Sequence, residues 1–138
     1  MQSCSTVAVT GRKQLSLVSD SQVLTSSLTE YNEYMTTATK STNKSQTDMV
    51  VRVGKKIAAA TEAYLKANGM ASDVQNFSWE FNLVKDDNVN AFCMPGGKIV
   101  VYEGLMKLVK SDDELAVVVG HEVAHAVAKH STERLSQP

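Results

Sequence analysis

Two histidines four residues apart, with a carboxylate beside the first, are the side chains of this 138-residue sequence best suited to chemistry: His121-Glu122-Val123-Ala124-His125. On an α-helix a spacing of four turns the second residue by only about 40° from the first, so both imidazoles project from one face and can approach a single cation. Zinc suits such a pair, because imidazole nitrogen is among its preferred ligands. Glu122 follows His121 directly and can reach a water on that cation without being a ligand itself. The chemistry this predicts is metal-assisted hydrolysis of a peptide bond, with Glu122 taking a proton from water and delivering it to the leaving amine.

Such a pair needs a well-formed helix, and the sequence supplies one. Ser111-Asp112-Asp113-Glu114 matches a capping box and places acidic residues in a first turn. Leu115 to Val119 then buries the turns before His121. Upstream, Ser19-Asp20-Ser21-Gln22 matches the same capping pattern and predicts a first helix. Its stripe is Val23, Leu24, Leu28, Tyr31, Tyr34 and Met35, and residues 1–18 precede it as a tail or lead-in strand. The Thr/Ser/Asn-rich stretch 36–46 reads as a loop and as the one candidate flexible joint. A second helix is expected over 47–68, with Val50, Val53, Ile57, Ala60, Tyr64 and Leu65 on one face.

The period changes at Phe77. Phe77, Trp79, Phe81 and Leu83 alternate with Ser78, Glu80, Asn82 and Val84, the pattern of a strand with one buried face. After the turn 85–88, the short segment 89–93 leads to Met94-Pro95-Gly96-Gly97, a breaker, and Lys98-Ile-Val-Val-Tyr102 reads as the returning strand. A small antiparallel sheet is expected, followed by a short helix over 103–110. The fold class is therefore α+β: N-terminal helices, a small sheet, and the long helix of the His pair packed against it.

Composition closes other routes. With 14 Lys+Arg against 15 Asp+Glu the formal net charge is −1, which gives no general pull toward nucleic acid or anionic lipid. No run of 18 apolar residues is present to span a membrane. Two cysteines, Cys4 and Cys93, do not make a disulfide framework; Cys93 is read as a buried, inert thiol. Ser3 before Cys4, with Ser5, Thr6, Thr10, Gly11, Arg12 and Lys13 after it, resembles a bacterial lipoprotein site from which the signal peptide has been removed. That implies an N-terminal lipid anchor on Cys4 and a chain facing the periplasm.

Taken with Asn90-Ala91-Phe92, Pro95-Gly96-Gly97-Lys98-Ile99 and the segment 102–105, the HExxH helix resembles the zinc metallopeptidases of the HtpX, BepA, Oma and CAAX prenyl protease group, over roughly residues 50–135. The resemblance implies a gluzincin site with zinc on His121 and His125 and Glu122 as the general base. It also implies an edge strand on which Asn90 and Ala91 contact an extended protein or peptide substrate by strand addition. The role it suggests is protein quality control in the bacterial cell envelope.

The same resemblance implies a third zinc ligand, a Glu on a later helix, and no residue here fits it. His130 would point roughly opposite to the His pair on one continuous helix, and Glu133 lies about 12 Å further along the axis from His125. Ala128 and Ser131 exclude the metzincin pattern. Residues 19–138 are accordingly expected to be the N-terminal portion of a peptidase domain, inactive alone and prone to dimerise or exchange elements through uncovered apolar surface. A noncatalytic, chaperone-like or peptide-binding module using the same groove is the competing reading. A helical interaction domain with a fortuitous motif would bind no metal.

Overall fold

The computed structural model describes the backbone of residues 9–135 and side chains over residues 22–128. Four helices and three strands follow in the order α1 (Val9–Thr37), α2 (Lys44–Ala67), a 3₁₀ turn (Ala71–Asn76), β1 (Glu80–Val84), β2 (Ala91–Met94), β3 (Lys98–Tyr102), α3 (Glu103–Met106) and α4 (Asp112–Leu135). The α+β class expected from the sequence is what forms. The sheet lies between α1 on one face and the α2/α4 pair on the other.

The strand arrangement departs from the expectation. The order is β1-β3-β2: β2 and β3 form an antiparallel hairpin, whereas β1 runs parallel to β3. The sheet is mixed. The physical reason lies in β3, where Ile99, Val100 and Val101 are buried on both faces, so this strand belongs in the centre. The chain leaving β1 must then cross the end of the β3 slot before returning as β2. Gly104, just past β3, makes that crossing possible: a Cβ there would sit 2.1 Å from the Asp87 carbonyl oxygen and 2.3 Å from that of Asn88. The Gly104 N–H donates to the Asp86 carbonyl at 2.9 Å, which seats the crossing loop.

Alternation along the strands separates two cores. Leu83, Ala91, Ile99 and Val101 join Val50 and Val53 of α2 and Leu115, Val119 and Val123 of α4. Val84 and Val100 face the other way, toward Tyr31, with Tyr34, Phe92 and Tyr102 packed around them. Trp79, Phe81 and Tyr102 are sheet-face residues, as their alternation predicts.

The helices also differ from the pattern reading. Ser19 to Gln22 lie inside α1, which already begins at Val9, so residues 9–18 are neither tail nor strand. The buried side of α1 carries Ser27 and Tyr31, while Val23 and Leu28 are exposed. In α2, Asn43 is the cap, its side chain accepting the Gln46 N–H at 3.0 Å, and Tyr64 faces solvent. The stretch 36–46 is tied to the sheet: Ser41 N–H donates to Leu83 O at 2.9 Å and Lys85 N–H to Thr39 O at 2.7 Å. Cys4 lies outside the described residues.

A polar clasp is added to the apolar contacts of Tyr31, Tyr34 and Met35 under α1. Tyr31 Oη donates to Glu80 Oε1 at 2.8 Å, Asn82 Nδ2 donates to Tyr31 Oη at 2.7 Å, and Lys98 Nζ pairs with Glu80 Oε2 at 3.1 Å. Burial and then the Glu80 hydrogen bond push the Tyr31 phenol up to about 12. The hydrogen bonds from Tyr31 and then Lys98 hold the Glu80 carboxyl below its usual range. A carboxylate whose folded value lies below its unfolded one stabilises above the unfolded value, and that stabilisation is lost as pH falls through the folded value. Because the Glu80 side chain is 51% exposed, the effect is about 0.5–1 kcal/mol. Wild type is therefore expected to melt above Glu80→Gln near about pH 6, with the difference shrinking as pH falls below the ordinary carboxylate range. A difference that stays the same as pH falls would assign the effect to something other than this carboxylate.

Candidate active site

The rotation of α4 about its own axis decides what its residues can do. Leu115, Val119 and Val123 recur every four residues and are 0–2% exposed, locked between α2 and the sheet. Burying each is worth about 1.5–3 kcal/mol, so the three together set the rotation firmly. His121 stands two residues from both Val119 and Val123, about 200° around the helix, and is turned out to solvent together with His125. The ring centroids are 4.3 Å apart with planes inclined by 59°. Two adjacent imidazoles on one open face fit the chelation of one cation.

Further contacts fix where α4 starts. Arg52 of α2 grips Asp112 through two hydrogen bonds, Nε to Oδ2 at 2.6 Å and Nη2 to Oδ1 at 2.8 Å. Ser111 Oγ accepts the Glu114 N–H at 3.2 Å, and Glu114 Oε1 accepts the Lys110 N–H at 2.8 Å, which is the expected cap with its return bond one residue earlier. Val117, one turn before His121 on the same face, is 73% exposed, so the His face is uncovered by the described residues.

Glu122 is half-buried and stands at the boundary between this open face and β2. Its charge reaches Cys93 on β2, whose thiol is pushed up to about 12 by burial first and by Glu122 second. That direction disfavours the thiolate, in line with the reading of Cys93 as inert. Asn90 and Ala91 lie at the start of the β2 edge, Ala91 buried and Asn90 exposed. Helix and edge strand pack against each other here, with Cys93 set against the core that holds Val123. Beyond it, an apolar cavity of about 360 Å³ runs between Cys93, Met94 and Pro95 on one side and Val123, Ala126 and Val127 on the other, closed by Leu24 and Phe77.

Among the described residues no group of three or more His, Cys, Asp or Glu is placed to hold a metal. The side chains of His130 and Glu133 lie outside the described residues. Two features escaped the sequence reading: the crossing over Gly104, which a glycine inside a helix pattern could have signalled, and the Tyr31 clasp, which no local pattern announces.

The sequence profile of Peptidase family M48 matches residues 45–138, more than half of the chain. The chain belongs to peptidase family M48. Mitochondrial metalloendopeptidase OMA1 of Arabidopsis thaliana is 50% identical over 72 residues, which are 52% of this chain and 15% of that protein. Metalloprotease LoiP of Escherichia coli K12 is 34% identical over 79 residues, 54% of this chain and 31% of that protein. The beta-barrel assembly-enhancing protease of Yersinia pestis is 32% identical over 59 residues, 43% of this chain and 12% of that protein. The chain thus spans less than a third of the length of each of these relatives. The M48 match begins in the first turn of α2 and takes in the edge strand and the HExxH helix.

Proposed function

We propose that this M48 chain carries the catalytic helix and substrate strand of a zinc metalloendopeptidase that cleaves unfolded or extended protein segments. The observation that carries this reading is the His121–His125 pair on the exposed face of α4, with Glu122 half-buried beside it and the edge strand β2 alongside. His121 and His125 would hold the zinc, and further ligands come from outside the described residues. A zinc ion there would supply Lewis-acid polarisation of the scissile carbonyl and acidify the attacking water. Glu122 accepts the proton of that water and returns it to the leaving nitrogen. The outward edge of β2, beginning at Ala91 with the Asn90 side chain beside it, takes the substrate as an added strand, and the apolar cavity beyond Cys93 suits a hydrophobic substrate side chain.

The cellular role we infer is protein quality control at a bacterial envelope, supported by the relatives in E. coli and Y. pestis. The Arabidopsis relative is mitochondrial by name. Among the described residues no helix is long and apolar enough to cross a membrane.

The test is metal dependence. The full-length protein is expected to contain about one zinc per chain and to cleave casein, with cleavage lost on chelation and restored by zinc. His121→Ala should lose both metal and cleavage. A full-length protein that cleaves casein equally well after exhaustive chelation overturns the reading.

A further inference from the structure

The edge of β2 is not equally open along its length. In an antiparallel pair, successive residues turn their N–H and C=O alternately toward the partner strand and away from it. Tyr102 N–H donates to the Asn90 carbonyl at 3.1 Å, and Asn90 lies opposite Tyr102 in the register that pairs Ala91 with Val101. Asn90, Phe92 and Met94 therefore face β3, and Ala91 and Cys93 turn their N–H and C=O outward. These four outward groups are what an added strand would pair with. One of them is already engaged: the Ala91 N–H donates to Oδ1 of the neighbouring Asn90 side chain at 2.9 Å. Asn90 is itself solvent-exposed, so nothing in the core demands that contact.

We propose that the Asn90 carboxamide is an intramolecular latch on the substrate edge, closing the Ala91 N–H until a substrate strand displaces it. The Cys93 N–H and C=O are then the groups that take the strand first. They lie on the strand that packs against α4, so the first pairing already sets the chain alongside the helix of the general base. Opening the latch exchanges an intramolecular hydrogen bond for an intermolecular one and lets pairing extend to Ala91. The latch has a second use in the absence of substrate, since it removes a donor from an edge that would otherwise template strand pairing between chains. It deepens the peptidase reading and rests on it for the substrate role, though not for the hydrogen bond itself.

The latch makes two separable predictions. In the free full-length protein, the Ala91 amide should exchange with solvent several-fold more slowly in wild type than in Asn90→Ala. With casein as substrate for the zinc-loaded full-length protein, Asn90→Ala should lower KM by about 2- to 10-fold, the gain expected from removing one competing hydrogen bond. Asn90→Asp, whose carboxylate accepts more strongly, should raise KM. Equal Ala91 exchange in wild type and Asn90→Ala overturns the latch whatever the activity shows. A higher KM or a collapsed kcat in Asn90→Ala overturns it too, because the carboxamide would then be serving the substrate directly. Slowed Ala91 exchange with no cleavage by wild type supports the latch as an edge cap and overturns the peptidase reading.

Discussion

Replacing Glu122 by Gln is expected to lower cleavage of an unfolded protein by the full-length enzyme by about 10²- to 10⁴-fold while leaving its zinc content unchanged. The substitution preserves size and removes only the capacity to accept a proton. Val119 and Val123 continue to hold the helix in its rotation, so the imidazoles of His121 and His125 keep their common face. Loss of activity with metal retained therefore isolates the proton-transfer role from the ligand role. His121→Ala is the contrasting variant, since it removes part of the chelate and should lose metal and activity together. If the Gln variant cleaves casein at the wild-type rate, Glu122 is not the base. If the full-length protein binds its substrates and performs its role equally well with Gln at this position, the chain acts as a binding module that uses the same edge without turnover.

Replacing Gly104 by Ala should cost about 3 kcal/mol or more and lower Tm by on the order of 10 °C. The added methyl carbon would fall 2.1 Å from the Asp87 carbonyl oxygen and 2.3 Å from that of Asn88, well inside contact distance. Both obstacles are backbone, so no rotamer change relieves them. The loop they belong to is the one that carries the chain across the end of β3 and delivers Asn90 to the edge, so displacing it should impair substrate binding as well as stability. Gly120→Ala is the control. Its Cβ would meet only the Ile57 Cδ1 at 3.5 Å, an ordinary contact, and alanine is the better helix former by about 1 kcal/mol. A Gly104→Ala protein that melts with wild type would show that the crossing can relax, and that the glycine is not what permits it.

How much of this was legible beforehand depends on the range of the interactions involved. The HExxH pair could be placed on one helical face because residues four apart are neighbours on any α-helix, and the Ser111 cap could be read because its hydrogen bonds close within three residues. The turn at Pro95, Gly96 and Gly97 was equally local, and both glycines adopt positive φ. Strand order was not. Segments 77–84 and 98–102 were both recognisable as extended, but alternation along a strand says which face is buried and not which neighbour it pairs with. The uninterrupted apolar run Ile99-Val100-Val101 was the available sign of a central strand buried on both faces. In helix α1 the stripe set Tyr31, Tyr34 and Met35 against the sheet as read, whereas its start at Val9 and the hydrogen bonds that join Tyr31 to Glu80 and Asn82, 49 and 51 residues away, leave no local trace.

By itself, then, the amino-acid order determined the one-faced histidine pair, its neighbouring carboxylate, the caps and turns that frame them and the α+β class, because each depends on contacts within about one helical turn or on summed composition. Tertiary structure alone decided that α4 rotates its histidines outward, that this helix packs against an edge strand, and that a glycine lets the 85–88 loop pass over the end of β3. These depend on which distant apolar surfaces are buried against each other. Burial is collective, and no short stretch of sequence carries it.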